Sequence, residues 1–158
     1  MKFLSALALT LCTSVALATP LESRSGTILT QAEVEARFRP YNITASSTGG
    51  CITRSISTCT SYDGFYSGTV NGVISLRQGS GASGLVVTGG TEVGHASSSV
   101  YSHSNGYKAD LRHVAALDNY IKGQFTRIGD RSDGYPQWQS PSGNLFCDEG
   151  SHWDITIY

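Results

Sequence analysis

Regular alternation of apolar and polar residues is clearest in the last seven positions of the chain, 152–158. Trp153, Ile155 and Ile157 occupy every second position, and polar residues lie between them. Because strand side chains point alternately to opposite faces, this pattern predicts a strand with one apolar face. His152 and Asp154 belong to its polar face.

Helical spacing of apolar residues predicts two helices, over 68–78 and over 114–122. Gly123 is expected to close the second one. A capping-box pattern, Thr30 with Glu33, predicts a short helix ending near Arg37. Short apolar runs predict strands at 85–88, 125–128, 135–139 and 144–147. Helices followed by a mainly antiparallel sheet indicate an α+β domain with two or three helices.

The segment 101–111 predicts a hairpin, because Gly106 supplies the positive backbone angle that a two-residue turn needs. A turn centred on 106 and 107 sets His103 opposite Asp110, and one centred on 105 and 106 sets them diagonally. In both registers the two side chains share a face, and Ala109 and Leu111 form the other face.

The first 18 residues read as a secretory signal peptide, with a basic residue, an apolar centre and a small-x-small end. Residues 19–158 are therefore expected to form one secreted, extracellular domain. Its part 19–67 holds an N-terminal arm, a short helix and a disulfide loop. No other apolar run is long enough to span a membrane, so no membrane association is expected after cleavage.

Removing Lys2 leaves 10 basic and 12 acidic residues, without a cluster of basic and aromatic side chains. This composition argues against nucleic acid as a partner. We expect a monomer. Asn42 begins a glycosylation sequon, which predicts a surface glycan.

Three cysteines follow the signal peptide, at positions 51, 59 and 147. Pairing of Cys51 with Cys59 is preferred because it closes a short loop in an oxidising compartment. Cys147 is a buried thiol, a partner for Cys51 or an additional metal ligand.

Two half-motifs suggest chemistry: His103, Gly106 and Asp110 form His-x2-Gly-x3-Asp, and Glu149 and His152 form Glu-x2-His. Together they resemble the zinc site of the D-alanyl-D-alanine peptidases, LAS-type metallopeptidases that share the fold of the hedgehog signalling domain. The segment 85–92 also resembles the buried strand that leads into that site. The resemblance spans about 68–158 and implies a hedgehog/DD-peptidase-like fold.

The resemblance implies that His103, Asp110 and His152 bind zinc and leave a fourth position for water. Glu149 would be the general base, which takes a proton from the attacking water and delivers it to the leaving amine. The implied activity is a secreted zinc-dependent carboxypeptidase or endopeptidase of the D-Ala-D-Ala type. Its expected substrates are short peptides, above all the D-Ala-containing stems of peptidoglycan.

Other residues are expected to support this site. The resemblance implies a basic residue for substrate, for which Arg77, Lys108 and Arg112 are alternatives, and His95 is a candidate contact to substrate. Asp154 is expected to orient His152 through its second ring nitrogen, and Ser102 to lie behind His103. The alternatives are a non-catalytic secreted interaction or effector protein on the same fold, and a small metal-independent secreted nuclease.

Overall fold

The computed structural model describes residues 25–158, so the predicted signal peptide lies outside the described part of the chain. Seven strands form a single sheet, and only β1 and β2 pair in parallel. The strands are β1 (Ile43–Ala45), β2 (Leu85–Gly89), β3 (Lys108–Arg112), β4 (Thr126–Ile128), β5 (Gln137–Gln139), β6 (Leu145–Asp148) and β7 (His152–Thr156). Their order across the sheet is β1-β2-β3-β7-β6-β5-β4.

Three α-helices complete the domain: α1 (Gln31–Phe38), α2 (Ser67–Ser80) and α3 (Ala115–Gln124). The predicted α+β class is therefore confirmed. The capping box at α1 is also present, since Thr30 accepts a hydrogen bond from the Glu33 backbone and the Glu33 side chain accepts one from the Thr30 backbone. Gly123 lies inside α3 rather than closing it, because the helix ends where Phe125 turns to extended backbone.

The core is organised around the antiparallel pair of β3 and β7 at the centre of the sheet. The apolar residues predicted to face inward, including Leu111, Trp153 and Ile155, are fully buried. The Trp153 indole donates a 2.7 Å hydrogen bond to Asp118, which ties α3 to the sheet. The other face of the same strands is also largely covered, because Asp110 and Asp154 are both only 7% exposed.

The hairpin predicted for 101–111 is wrong. Strand β3 pairs with β2 and β7, so both of its edges are occupied, and residues 101–107 form no strand. His103 lies instead in a tight turn, in which the Gly106 N–H donates a 2.8 Å hydrogen bond to the His103 carbonyl. Gly106 has a φ of 82° and lies against the backbone of Gly64. His103 nevertheless reaches Asp110, from a turn rather than from a neighbouring strand.

Strand β1 was missed, because its three residues fall in a polar stretch. It lies at the edge of the sheet and pairs with β2 alone. Asn42, just before it, is exposed at a φ of 54°. Glycosylation at this residue remains a prediction. Residues 25–28 of the predicted N-terminal arm are docked on the domain, since the Ser67 N–H donates a 2.7 Å hydrogen bond to the Thr27 carbonyl.

The predicted disulfide between Cys51 and Cys59 is confirmed. Cys147 in β6 is a free, buried cysteine, and burial raises the pKa of its thiol to about 11. Among residues 25–158, no helix has the length and apolar character needed to cross a membrane.

Replacing Gly106 with alanine should destabilise the protein and disturb the placement of His103. A Cβ there would lie 2.1 Å from the Gly64 carbonyl oxygen, in addition to the strain of a positive φ. We expect a loss of at least about 2 kcal/mol in the free energy of unfolding, measured by urea denaturation.

Gly143→Ala is the matched control, because Gly143 has a φ of 90° but nothing within 4 Å of the added Cβ. It should show only the conformational strain of about 1 kcal/mol. Equal losses for the two variants would contradict the packing of the Gly106 turn.

Candidate metal centre

The polar face of β3 and β7 forms the floor of a cavity of about 700 Å³. Asp110 comes from β3, His152 and Asp154 come from β7, and Glu149 comes from the turn before β7. The turn that holds His103 and the loop that holds His95 contribute to the wall. The structure therefore brings together the four ionisable residues of the two half-motifs.

Asp110 and Asp154 are directly opposite each other in the β3–β7 register, so two buried carboxylates share one cross-strand position. Like charges in that arrangement repel, and the low polarity of a buried site strengthens the repulsion. The pair therefore needs positive charge close by. Lys108 provides part of it, with its ammonium 2.6 Å from Oδ2 of Asp154.

The remaining carboxylate oxygens face the histidines. Oδ1 of Asp110 lies 3.3 Å from Nε2 of His103 and 3.5 Å from Nε2 of His152, yet it accepts no hydrogen bond of acceptable geometry. Oδ1 of Asp154 is likewise buried without a partner, 3.8 Å from Nε2 of His103. Buried carboxylate oxygens without donors are uncommon in folded proteins and fit a site for a cation.

Hydrogen bonds behind the two motif histidines fix their orientation. Nδ1 of His103 donates to the Gly90 carbonyl at 2.8 Å, so Nε2 is the nitrogen that faces the carboxylates. Nδ1 of His152 is 2.8 Å from the Ser151 hydroxyl, and its Nε2 likewise faces Asp110. Such second hydrogen bonds are a usual feature of histidines that bind metals.

The pKa shifts of His103 and Asp110 agree with this arrangement. Burial alone would lower the pKa of His103, but the adjacent Asp110 carboxylate, together with Asp154 and the Gly90 carbonyl, raises it above its ordinary value. Burial alone would raise the pKa of Asp110, but His103, with His152 and His95 nearby, holds it below its ordinary range. The site thus favours positive charge between these groups.

His95 joins this cluster from the loop after β2. His95, His103 and Asp110 offer ligand atoms that all lie within 4.8 Å of one another, so they could hold a metal ion. His152 is outside that set of three, although it is close to Asp110. The His95 ring stacks on His103, with centroids 3.9 Å apart and planes tilted by 15°.

A buried carboxylate positions His95. Nε2 of His95 donates to Glu92 at 3.0 Å, and Glu92 also accepts hydrogen bonds from the backbone N–H groups of Ser61 and Gly90. Burial alone would raise the pKa of Glu92, but these donors hold it below its ordinary range. A Cβ at Gly89 would lie 2.2 Å from the Asp110 carboxylate, so glycine is needed for this close approach.

Glu149 stands beside His152, with Oε2 3.2 Å from the Nε2 of that histidine. Its other oxygen accepts a hydrogen bond from Arg131, which also binds Asp133 and Asp154. Sequence reasoning missed Arg131, which lies in the loop between β4 and β5. Only the concentration of charge at 130–133 marked this loop, and such runs are usually solvated.

Not all of the predicted supporting residues reach the site. Arg77, on α2, donates to the carbonyls of Tyr41 and Ser83 and does not line the cavity. Ser102 is buried but pairs with the hydroxyl of Ser104. Asp154 does not orient His152, because Ser151 occupies the second nitrogen of that ring.

Lys108 and His95 do line the cavity. Arg112, the third alternative, does not line the cavity and donates a 3.1 Å hydrogen bond to the Ser46 hydroxyl.

Comparison with family models, with curated proteins and with solved structures finds no match to this chain.

We predict that a divalent metal stabilises this protein through the cluster. Zinc at about 100 times its dissociation constant should raise the free energy of unfolding by about 3 kcal/mol, because it binds only the folded state. His103→Ala should abolish that increase. His113→Ala, which removes an imidazole outside the cavity, should retain it.

Thermal unfolding with and without zinc, together with elemental analysis of the purified protein, measures both effects. Equal stabilisation of His103→Ala and the unchanged protein would contradict a metal site at this cluster.

Proposed function

We propose that this protein is a secreted zinc peptidase, with His103, Asp110 and His152 as metal ligands and Glu149 as general base. The observation that carries the proposal is the Asp110 oxygen without a hydrogen-bond donor, 3.3 and 3.5 Å from two imidazole nitrogens. Ligand atoms bound tetrahedrally to one zinc ion at 2.0–2.1 Å are separated by about 3.3 Å. The two distances from Asp110 therefore match the separation of zinc ligands, and His152, which lies outside the set of three within 4.8 Å, would move closer to His103 when the ion binds.

The choice of His152 over His95 as the second histidine rests on ring orientation. A metal ion lies close to the plane of an imidazole that binds it. The planes of His95 and His103 are nearly parallel, with centroids 3.9 Å apart, so one of the two rings would have to turn before both could bind the same ion in plane. Nε2 of His152 faces the same Asp110 oxygen as Nε2 of His103.

Hydrolysis of a peptide bond needs an activated water and a base, which zinc and Glu149 would supply. Zinc bound here would lower the pKa of a water towards about 7 and polarise a scissile carbonyl. Glu149 accepts the proton of the attacking water, and its oxygen 3.2 Å from His152 stands next to the ligand set. Arg131 holds the other Glu149 oxygen and so fixes the direction of the carboxylate.

The resemblance of the two half-motifs supports a hedgehog/DD-peptidase-like fold and short peptide substrates, with peptidoglycan stems containing D-alanine as the leading candidates. Export is supported by the N-terminal signal pattern and is compatible with the disulfide between Cys51 and Cys59. Digesting purified peptidoglycan and identifying released fragments by mass spectrometry tests the substrate directly.

Glu149→Gln should reduce turnover by about 10²- to 10⁴-fold while zinc remains bound, because it removes the base and leaves the ligands. Glu35→Gln makes the same chemical change on the surface of α1 and should leave activity unchanged. Peptide hydrolysis and zinc content are measured on the same preparations. A non-catalytic interaction protein would show no difference in turnover between the two variants.

Activity should fall below about pH 6, because protons compete with zinc for the histidines. The raised pKa of His103 in the metal-free protein means that this competition begins at higher pH than for an unperturbed histidine. Zinc affinity and peptide hydrolysis should therefore decline together as the pH is lowered, and both can be followed by titration. Full activity at pH 4 without a metal requirement would exclude this mechanism.

A further inference from the structure

Both cations that line the cavity are already neutralised by carboxylates. The Lys108 ammonium lies 2.6 Å from Asp154. Arg131 uses all three of its nitrogens: Nε and Nη2 bind Asp133, Nη1 binds Asp154 at 2.9 Å, and Nη2 also reaches Glu149. The charge of each side chain is therefore already paired with at least one carboxylate of the protein.

The net charge of the cavity lining is also unfavourable for an anionic substrate. Its lining holds four carboxylates against two cations, a net charge of −2 with neutral histidines. The carboxylates are Asp110, Asp133, Glu149 and Asp154. A divalent cation neutralises this set, whereas a substrate with a free carboxylate would add an unbalanced negative charge. Desolvating such a charge without a partner is unfavourable.

A second cavity extends the site on the other side of His95. It has a volume of about 450 Å³ and is lined mainly by serine and threonine residues, and His95 is the residue that lines both cavities. The hydroxyl groups of Thr48, Ser57 and Thr58 make no hydrogen bond within the described part of the chain and are exposed. Each hydroxyl can donate and accept, which suits the amide groups of an uncharged chain.

We infer that the substrate continues on both sides of the metal and carries no free carboxylate next to the scissile bond. This inference rests on the proposed peptidase function and deepens it. The bond that is cut lies inside a peptide, and the uncharged continuation of the chain passes His95 into the hydroxyl-lined cavity. An enzyme that removes single C-terminal residues would instead need an unpaired cation at this place.

Two matched peptides test the inference. One is an N-acetylated peptide that ends in D-Ala-D-Ala with a free carboxylate, and the other is the same peptide with a C-terminal amide. We expect kcat/KM for the amide to exceed that for the free acid by about tenfold, the effect of one unfavourable charge contact. A preference for the free acid would overturn the inference.

Binding provides a readout independent of turnover. With the unchanged protein in the metal-free state, in which no turnover occurs, calorimetry should show tighter binding of the amide than of the free acid. Lys108→Met should change the preference between the two peptides by less than about threefold, because Lys108 is committed to Asp154. A larger change would mean that Lys108 binds the substrate carboxylate and would overturn the inference.

The outcomes separate the two proposals. Cleavage of both peptides with a preference for the acid overturns this inference and leaves the peptidase function standing. Cleavage of neither peptide, nor of peptidoglycan, overturns the peptidase function, and the inference falls with it.

Discussion

Two buried carboxylates on adjacent strands dominate the physics of this protein. Asp110 and Asp154 face each other across β3 and β7 with almost no access to solvent. Such a pair is stable only with positive charge around it, because water does not screen the repulsion. Lys108 and Arg131 bind Oδ2 of Asp154, and His103 faces Oδ1 of each aspartate.

The core on the opposite face makes this arrangement possible. Leu111 and Trp153, paired in the same register, are completely buried, and the Trp153 indole is anchored to Asp118. Because side chains alternate along each strand, packing of these apolar residues fixes Asp110, His152 and Asp154 on the other face. A register shift of one residue would move the apolar side chains to the face of the cavity and the polar ones into the core. The hydrophobic core therefore also sets the positions of the polar cluster.

A second set of polar contacts surrounds the cluster. Glu92 directs His95, the Gly90 carbonyl directs His103, and Arg131 joins Glu149 to Asp154. These contacts reduce the number of orientations that each side chain can adopt before any ligand arrives, which is the usual requirement for metal binding and catalysis. They also leave little unpaired positive charge in the cavity.

The sequence by itself determined most of the helices and strands and the four motif residues, but not the structure of 101–107 or strand β1. Alternation predicted β7 with its apolar face, the capping box predicted α1, and the half-motifs selected His103, Asp110, Glu149 and His152, because these signals depend on neighbours within a few positions. Only the tertiary structure decided that β7, rather than a hairpin partner, lies beside β3. It also decided that Arg131 and Glu92 support the site and that Arg77 does not, since contacts between residues far apart in the chain depend on how the sheet is assembled and leave no periodic signal in the sequence.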